Sequence, residues 1–440
     1  MDTPIFDFVQ GYCSMLCTRL HMPGHKGVML LGMESMDITE IPGADDLYHP
    51  TGIIAKSEAN ASRLFGYPTI YSTEGSSQCI RAMLYLLTLH TGRRPVVAAA
   101  RNVHKSFLSA AALLDLDVRW IWPSGAESYL SCEIDPAELD ALFAAEKHDA
   151  LYVTSPDYLG NMADISALSE VCHRHGVLLL VDNAHGAYLR FLEPSQHPMD
   201  LGADICCDSA HKTLPALTGA AYLHISPKAP EVFLHRAKDA MAMFGSTSPS
   251  YLILQSLDLV NHQLENEIPA TLAAYLSKVR LLRQELVEKG WDIVSDEPMK
   301  LTIRPKSHGF TGTQLIRILA DEQVVCEFAD LDHLVMMFSP NNSDTALNQI
   351  RKHIVNLPKF RPILENPPRV SPCQQVLSIR QAMLSPSHQV PIAEAEGRIL
   401  AEPGISCPPA VPILICGERI TGEAIAAFQY YGITHCQVVD

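Results

Sequence analysis

The chain has 440 residues, of which 47% are apolar and 19% charged, and carries a net charge of −16. That length allows a large core and more than one domain, and the composition is that of an ordinary soluble globular protein. The acidic balance argues against a nucleic-acid surface, no apolar run is long enough to cross a bilayer, and the first ten residues lack the pattern of a secretory signal.

Predicted elements follow one another in a regular rhythm. Residues 1–45 form an N-terminal segment that contains "PGHKG" (23–27), the first of three His-Lys pairs. A turn, "STEGSSQ", leads into a helix over "SSQCIRAMLYLLTLHTG" (76–92), which ends at a glycine. The strand "PVVAAA" (95–100) follows, then a helix over "HKSFLSAAALLD" (104–115) opened by the second His-Lys pair, then "VRWIW" (118–122) and "ALYVTS" (150–155). "DISALSEVCHRHG" (164–176) has an acidic start, apolar residues at helical spacing and a terminal glycine. "VLLLVD" (177–182), "DICCDS" (204–209) and "AAYLHI" (220–225) read as further buried strands. Strand-helix alternation predicts an α/β doubly wound domain with a mainly parallel sheet, spanning 46–285, whose ligands lie beyond the carboxyl ends of the strands. Between "DICCDS" and "AAYLHI" the connection is too short for a crossover helix, which predicts a local reversal in the sheet. Long helices over 249–267 and 271–290 follow, and 286–440 reads as a smaller C-terminal α/β domain with a Pro-rich tail whose apolar content predicts packing on the body. The 12 cysteines show no C-x-x-C spacing and predict free thiols in a reducing cytoplasm, with Cys206 and Cys207 as core filling and no metal site.

Three stretches carry chemistry. Gly75, Ser76 and Ser77 stand where a helix begins, so backbone N–H groups and hydroxyls can face a phosphate; a plain serine cap is the simpler alternative for this stretch alone. Asp182 ends an almost wholly apolar strand, where a carboxylate is costly without a partner, and Ala184 and Gly186 beside it are small enough for something flat. Lys212 follows a strand and is flanked by Ser209 and His211; in a partly desolvated pocket its amine would be nucleophilic and able to form a Schiff base, whereas a solvated loop lysine is the ordinary alternative. Phosphate cradle, strand-end Asp and a lysine thirty positions later are together what pyridoxal 5'-phosphate requires.

These motifs also resemble a known family. "HMPGHKG" (21–27), "DITEIPGADDLYHPTGII" (37–54), "EGSSQCIRAM" (74–83), "RNVHKS" (101–106), "SPDYLGNMADI" (155–165), "VDNAHGAY" (181–188), "SAHKTLPALTG" (209–219) and "GRILAEPGISCPPAVPILICGERIT" (397–421) are similar, in order, to the Orn/Lys/Arg decarboxylases. These are fold type I pyridoxal-phosphate enzymes with an aspartate-aminotransferase-like large domain. The layout is closest to the short bacterial arginine decarboxylase type that lacks an N-terminal wing domain. The resemblance implies Lys212 as the Schiff-base lysine and Ser76, Ser77, Ser209 and His211 as phosphate neighbours. It further implies His104 stacked on the ring, Asp182 on the ring nitrogen, Ala184 beneath it and His185 near the cofactor oxygen. Ser246 or Thr247 would reach a phosphate, across a dimer interface in one arrangement. It implies decarboxylation of arginine, lysine or ornithine, with Lys212 or His104 as the proton donor, in a homodimer or dimer of dimers. Asp37, Glu40, Asp45 and Asp46, or Glu402 and Glu418, are candidates for gripping a basic side chain, with solvated surface acids the commoner state of each. Asn183 departs from the Glu of many relatives, and Cys407 from a frequent Tyr. Another fold type I reaction, or an inactive homologue kept as a binding partner, are the alternatives; the intact Lys212, Asp182 and His104 speak against the second.

Overall fold

The computed structural model describes residues 1–15, 17–123, 128–369, 371–402 and 410–440. All six apolar runs are strands. β1 (Thr69–Ser72), β2 (Val96–Ala100), β3 (Asp117–Ile121), β4 (Ala150–Thr154), β5 (Leu178–Asp182), β6 (Ile205–Asp208) and β7 (Ala221–Ile225) form one sheet. The strand order is β1-β7-β6-β5-β4-β2-β3. β2 is parallel to β3, and β5 to β6. The expected reversal is present: β7 runs antiparallel to β6, and β1 antiparallel to β7. β1 itself has no apolar run to announce it; its "TIYS" is buried because β7 supplies a paired edge.

The predicted helices form at Gly75–Thr91, Lys105–Leu114, Ile165–Arg174, Tyr251–Asn266 and Ile268–Glu288. Gly92, with φ 61°, ends the first of these in the left-handed conformation that glycine adopts without a side-chain penalty. No helix among the described residues is long and apolar enough to cross a membrane.

The chain divides into two compact units. The first comprises Met1–Pro95, Asp149–Tyr152 and Ile165–Ala270, and the second Val96–His148, Val153–Asp164 and Thr271–Asp440. Within the second lies an antiparallel sheet ordered β10-β11-β9-β8, from β8 (Asp292–Ile293), β9 (Lys300–Arg304), β10 (Phe328–Ala329) and β11 (Leu334–Met337). Its core joins Leu301, Leu315 and Leu334 to Val279 and Leu282 of the long helix.

The described residues of the Pro-rich tail are packed, as its apolar content predicts. β12 (Ser387–Pro391) and β13 (His435–Val439) pair antiparallel, and Leu400, Ile413, Leu414 and Ile420 bury with Phe428 and Val438. Each such side chain contributes about 1.5–3 kcal/mol. Arg101 donates to both carboxylate oxygens of Glu418, each at 2.9 Å, with side-chain exposures of 7% and 2%. The guanidinium also lies 4.3 Å from the centre of the Trp122 ring. A broken buried pair leaves one charge uncompensated, so Glu418→Gln is expected to cost about 3 kcal/mol in urea or thermal unfolding. A loss below about 1 kcal/mol, the range of a solvated pair, would show that the pair does not hold the tail.

Candidate functional site

The site is built at the carboxyl ends of β5 and β6, in the first unit. β5 is a leucine-rich strand that delivers Asp182 into a turn through Asn183, Ala184, His185 and Gly186. Asp182 is 2% exposed. One carboxylate oxygen accepts the Ala184 N–H at 3.1 Å and the Cys207 thiol at 3.7 Å, and the other accepts the Tyr152 hydroxyl at 3.3 Å. Burial pushes the Asp182 carboxyl above its ordinary range, against the pull of Lys212 and the Ala184 N–H. Every one of these donors is neutral, and a buried carboxylate so placed is chemically suited to a cationic N–H.

β6 runs through Cys206, Cys207 and Asp208 into Ser209 and a single helical turn, Ala210–Thr213, which carries His211 and Lys212. The Lys212 amine stands 2.8 Å from Nε2 of His185. His211 donates through Nδ1 to the Ala220 carbonyl at 2.9 Å, and burial lowers its pKa, which keeps the ring neutral.

The phosphate-cradle candidates meet this loop. The Ser209 hydroxyl donates to Ser76 Oγ at 2.9 Å. Gly75, at φ 69°, donates its N–H to the Gly219 carbonyl at 2.8 Å, and any side chain there would be strained. Ser77 follows in the first turn of Gly75–Thr91, where backbone N–H groups point outward. The structure thus brings Gly75, Ser76, Ser209, His211 and Lys212 together, with Asp182, Ala184 and His185 on the adjoining strand end. This donor set fits pyridoxal phosphate: hydroxyls and N–H groups for a dianion, an amine for an aldehyde, a buried carboxylate for a pyridinium and Ala184 for a flat face. Thr247 is exposed, in a loop whose Ser246 N–H donates to Glu74 Oε1 at 3.1 Å. Tyr152 and Cys207, which grip Asp182, were not foreseen; both sit inside apolar strands that look like plain core.

His104 belongs to the second unit. There it caps the helix Lys105–Leu114, with Nδ1 accepting from the Ser106 N–H at 3.2 Å. Lys105 is exposed, and its N–H donates to the Ala410 carbonyl at 2.9 Å. Lys26 sits in a turn at φ 55° with its amine on the His21 carbonyl.

The acids proposed for a basic side chain separate clearly. Asp45 accepts the N–H groups of Thr51, Gly52 and Ile54 and so holds the start of the helix Ile53–Phe65. Asp46 accepts the Tyr48 and His49 N–H groups, and Glu418 is committed to Arg101. Asp37 lies 3.2 Å from His25, Glu40 bonds the Thr39 hydroxyl and Glu402 is exposed. Asn183 is fully buried, and Cys407 lies outside the described residues. The eleven described cysteines are all free.

Comparison with known proteins gives a consistent picture. The sequence model of the Orn/Lys/Arg decarboxylase major domain matches residues 3–295, and that of the C-terminal domain of the same family matches 371–436. The chain is similar to the protein YaaO of Bacillus subtilis, 30% identical over 97% of this chain and 93% of YaaO. It is 29% identical to the arginine decarboxylase of the same organism, over 97% and 92% of the two chains. Among solved structures, the Pseudomonas aeruginosa lysine decarboxylase A superposes with a TM-score of 0.81 at 17% identity, over 99% of this chain and 80% of that one. The Francisella novicida lysine decarboxylase LdcF gives 0.80 at 15%, over 100% and 81%.

Proposed function

The chain belongs to the Orn/Lys/Arg decarboxylase family, whose members are pyridoxal-phosphate-dependent amino-acid decarboxylases, and from that premise we propose that its substrate is a basic L-amino acid, arginine first, then lysine or ornithine. The observation that carries this reading is the meeting of Lys212, Asp182 and the Ser76–Ser209 pair at two adjoining strand ends. When bound, pyridoxal phosphate supplies an electron sink for the pair left on Cα as the carboxylate departs. Lys212 would hold the cofactor covalently through Nζ. Ser76, Ser77 and Ser209, with the N–H groups of the Gly75 turn and His211, would hold the phosphate. Asp182 would keep the ring nitrogen protonated, Ala184 would pass beneath the ring, and His185 would orient the Lys212 amine. His104 would stack on the other face, and either His104 or Lys212 would return a proton to Cα. The arginine and lysine decarboxylases among the relatives support a basic substrate. So does Asp37, half-buried and not used as a helix cap. The amines so formed belong to polyamine metabolism.

The substrate is tested by kcat/KM measured side by side for arginine, lysine, ornithine, glutamate and a neutral amino acid. We expect the basic amino acids to lead by at least about 10³-fold, because a site built to pair a cation penalises a substrate that leaves its acid unpaired. A preferred acidic or neutral amino acid would contradict this. We also propose a cytoplasmic homodimer or dimer of dimers, consistent with the twofold symmetry common among oligomers. Sedimentation velocity should show at least two chains per particle; full activity of a monomer at nanomolar concentration would contradict it.

A further inference from the structure

Behind the Asp182 turn lies a wholly buried polar cluster. One oxygen of Asp208 accepts from His197 Nε2 at 3.0 Å and from His224 Nε2 at 3.1 Å, and no side chain of the three is more than 1% exposed. The other oxygen accepts the Asn183 amide at 2.7 Å and the Cys206 thiol at 3.7 Å. Hydrogen-bond partners set the tautomers. His197 Nδ1 accepts the Met199 N–H at 3.3 Å, so that ring carries one proton, on Nε2. The Thr69 hydroxyl lies 2.9 Å from both the Tyr67 carbonyl and His224 Nδ1. Burial lowers the His224 pKa against the pull of Asp208, which favours a neutral ring with its proton on Nε2, toward that carboxylate. Phe65 packs against this imidazole at 4.5 Å, centre to centre, and Tyr222 and Arg190 also face it.

Asp208 immediately precedes Ser209, and Asn183 immediately follows Asp182. Their 2.7 Å bond ties the two strand-end loops together one step beyond the 3.0 Å backbone bond from the Asn183 N–H to the Cys207 carbonyl. The turn folds tightly round this amide: a β-carbon on Gly186 would stand 2.0 Å from Asn183 Oδ1. A Glu at position 183 would instead press a second carboxylate against Asp208.

We propose that Asp208, held by the Nε2–H groups of His197 and His224, is a positioning residue that acts through Asn183 to set the turn presenting Asp182 and His185 to Lys212. This rests on the roles proposed for Asp182 and Lys212. It gives the Asn183 departure a physical reason, as the neutral donor that a buried anion at 208 requires.

The test has two arms. In the first, histidine-selective ¹⁵N NMR of the wild type should show two imidazoles that stay neutral with the proton on Nε2 throughout pH 6–8, both shifted in Asp208→Asn. In the second, Asn183→Ala, Asp208→Ala and the double variant are compared by kcat, KM and thermal melting. Each single change should lower kcat by about 10- to 100-fold with KM within about threefold, and the double variant should lose no more than the worse single one. The absence of such a pair of Nε2-protonated imidazoles, additive losses in kcat, or one zinc per purified chain would overturn the proposal. If Asp208→Ala does not fold, the wild-type spectrum and Asp208→Asn decide the matter. The first arm needs no turnover: the two Nε2-protonated imidazoles in a protein that decarboxylates nothing would strike the proposed function and leave the buried cluster standing.

Discussion

Lys212→Ala is expected to abolish turnover, lowering kcat by at least about 10³-fold, because the residue would serve both as the covalent anchor and as a proton carrier. The same change should remove the covalent link to the cofactor. Reduction of the wild type with borohydride should leave the mass of the reduced cofactor on the peptide containing Lys212. Lys26→Ala and Lys105→Ala should keep that mass, since the Lys26 amine rests on a carbonyl of its own turn and Lys105 is exposed. Finding the modification on another lysine would end the assignment. The contact between Lys212 and His185, at 2.8 Å, gives the lysine a fixed approach, and it separates this His-Lys pair from the other two in the chain.

Asp182→Asn is the second large effect. The variant should retain cofactor but lose about 10²- to 10³-fold in kcat, the scale of removing one preorganised electrostatic group from a water-excluded site. The carboxylate is buried beside the neutral donors Tyr152, Ala184 N–H and Cys207, so its charge would be spent on the ring nitrogen. An amide keeps the shape and hydrogen-bonding capacity but cannot stabilise a pyridinium with a full charge. Absorbance of the bound cofactor checks retention, and near-normal turnover in the loaded variant would contradict the role.

The large sheet was legible because its strands are buried on both faces and therefore read as unbroken apolar runs. Asp182 stood out as a charged residue that closes such a run, and Lys212 as one in the short turn that follows another. β1 escaped because "TIYS" is short and mixed in polarity, and its strand character comes from pairing with β7. β12 and β13 escaped because prolines and turn residues dominate the segment between them, while their partners lie more than forty residues apart. The four carboxylates of "DITEIPGADD" looked alike in sequence. In the structure Asp45 is a helix-start acceptor and its pKa is lowered by backbone N–H groups despite the opposing effect of burial. The His197–Asp208–His224 cluster could not be read from spacing, since the antiparallel return of β7 brings His224 back beside β6.

The most direct test of the proposed function is to incubate the purified, cofactor-loaded protein with each common amino acid and identify the product by mass spectrometry. The expected result is an amine lighter than its parent by one carbon dioxide, from arginine, lysine or ornithine and from no acidic or neutral amino acid. A keto acid, a cleaved side chain, or no product from any basic amino acid would contradict it.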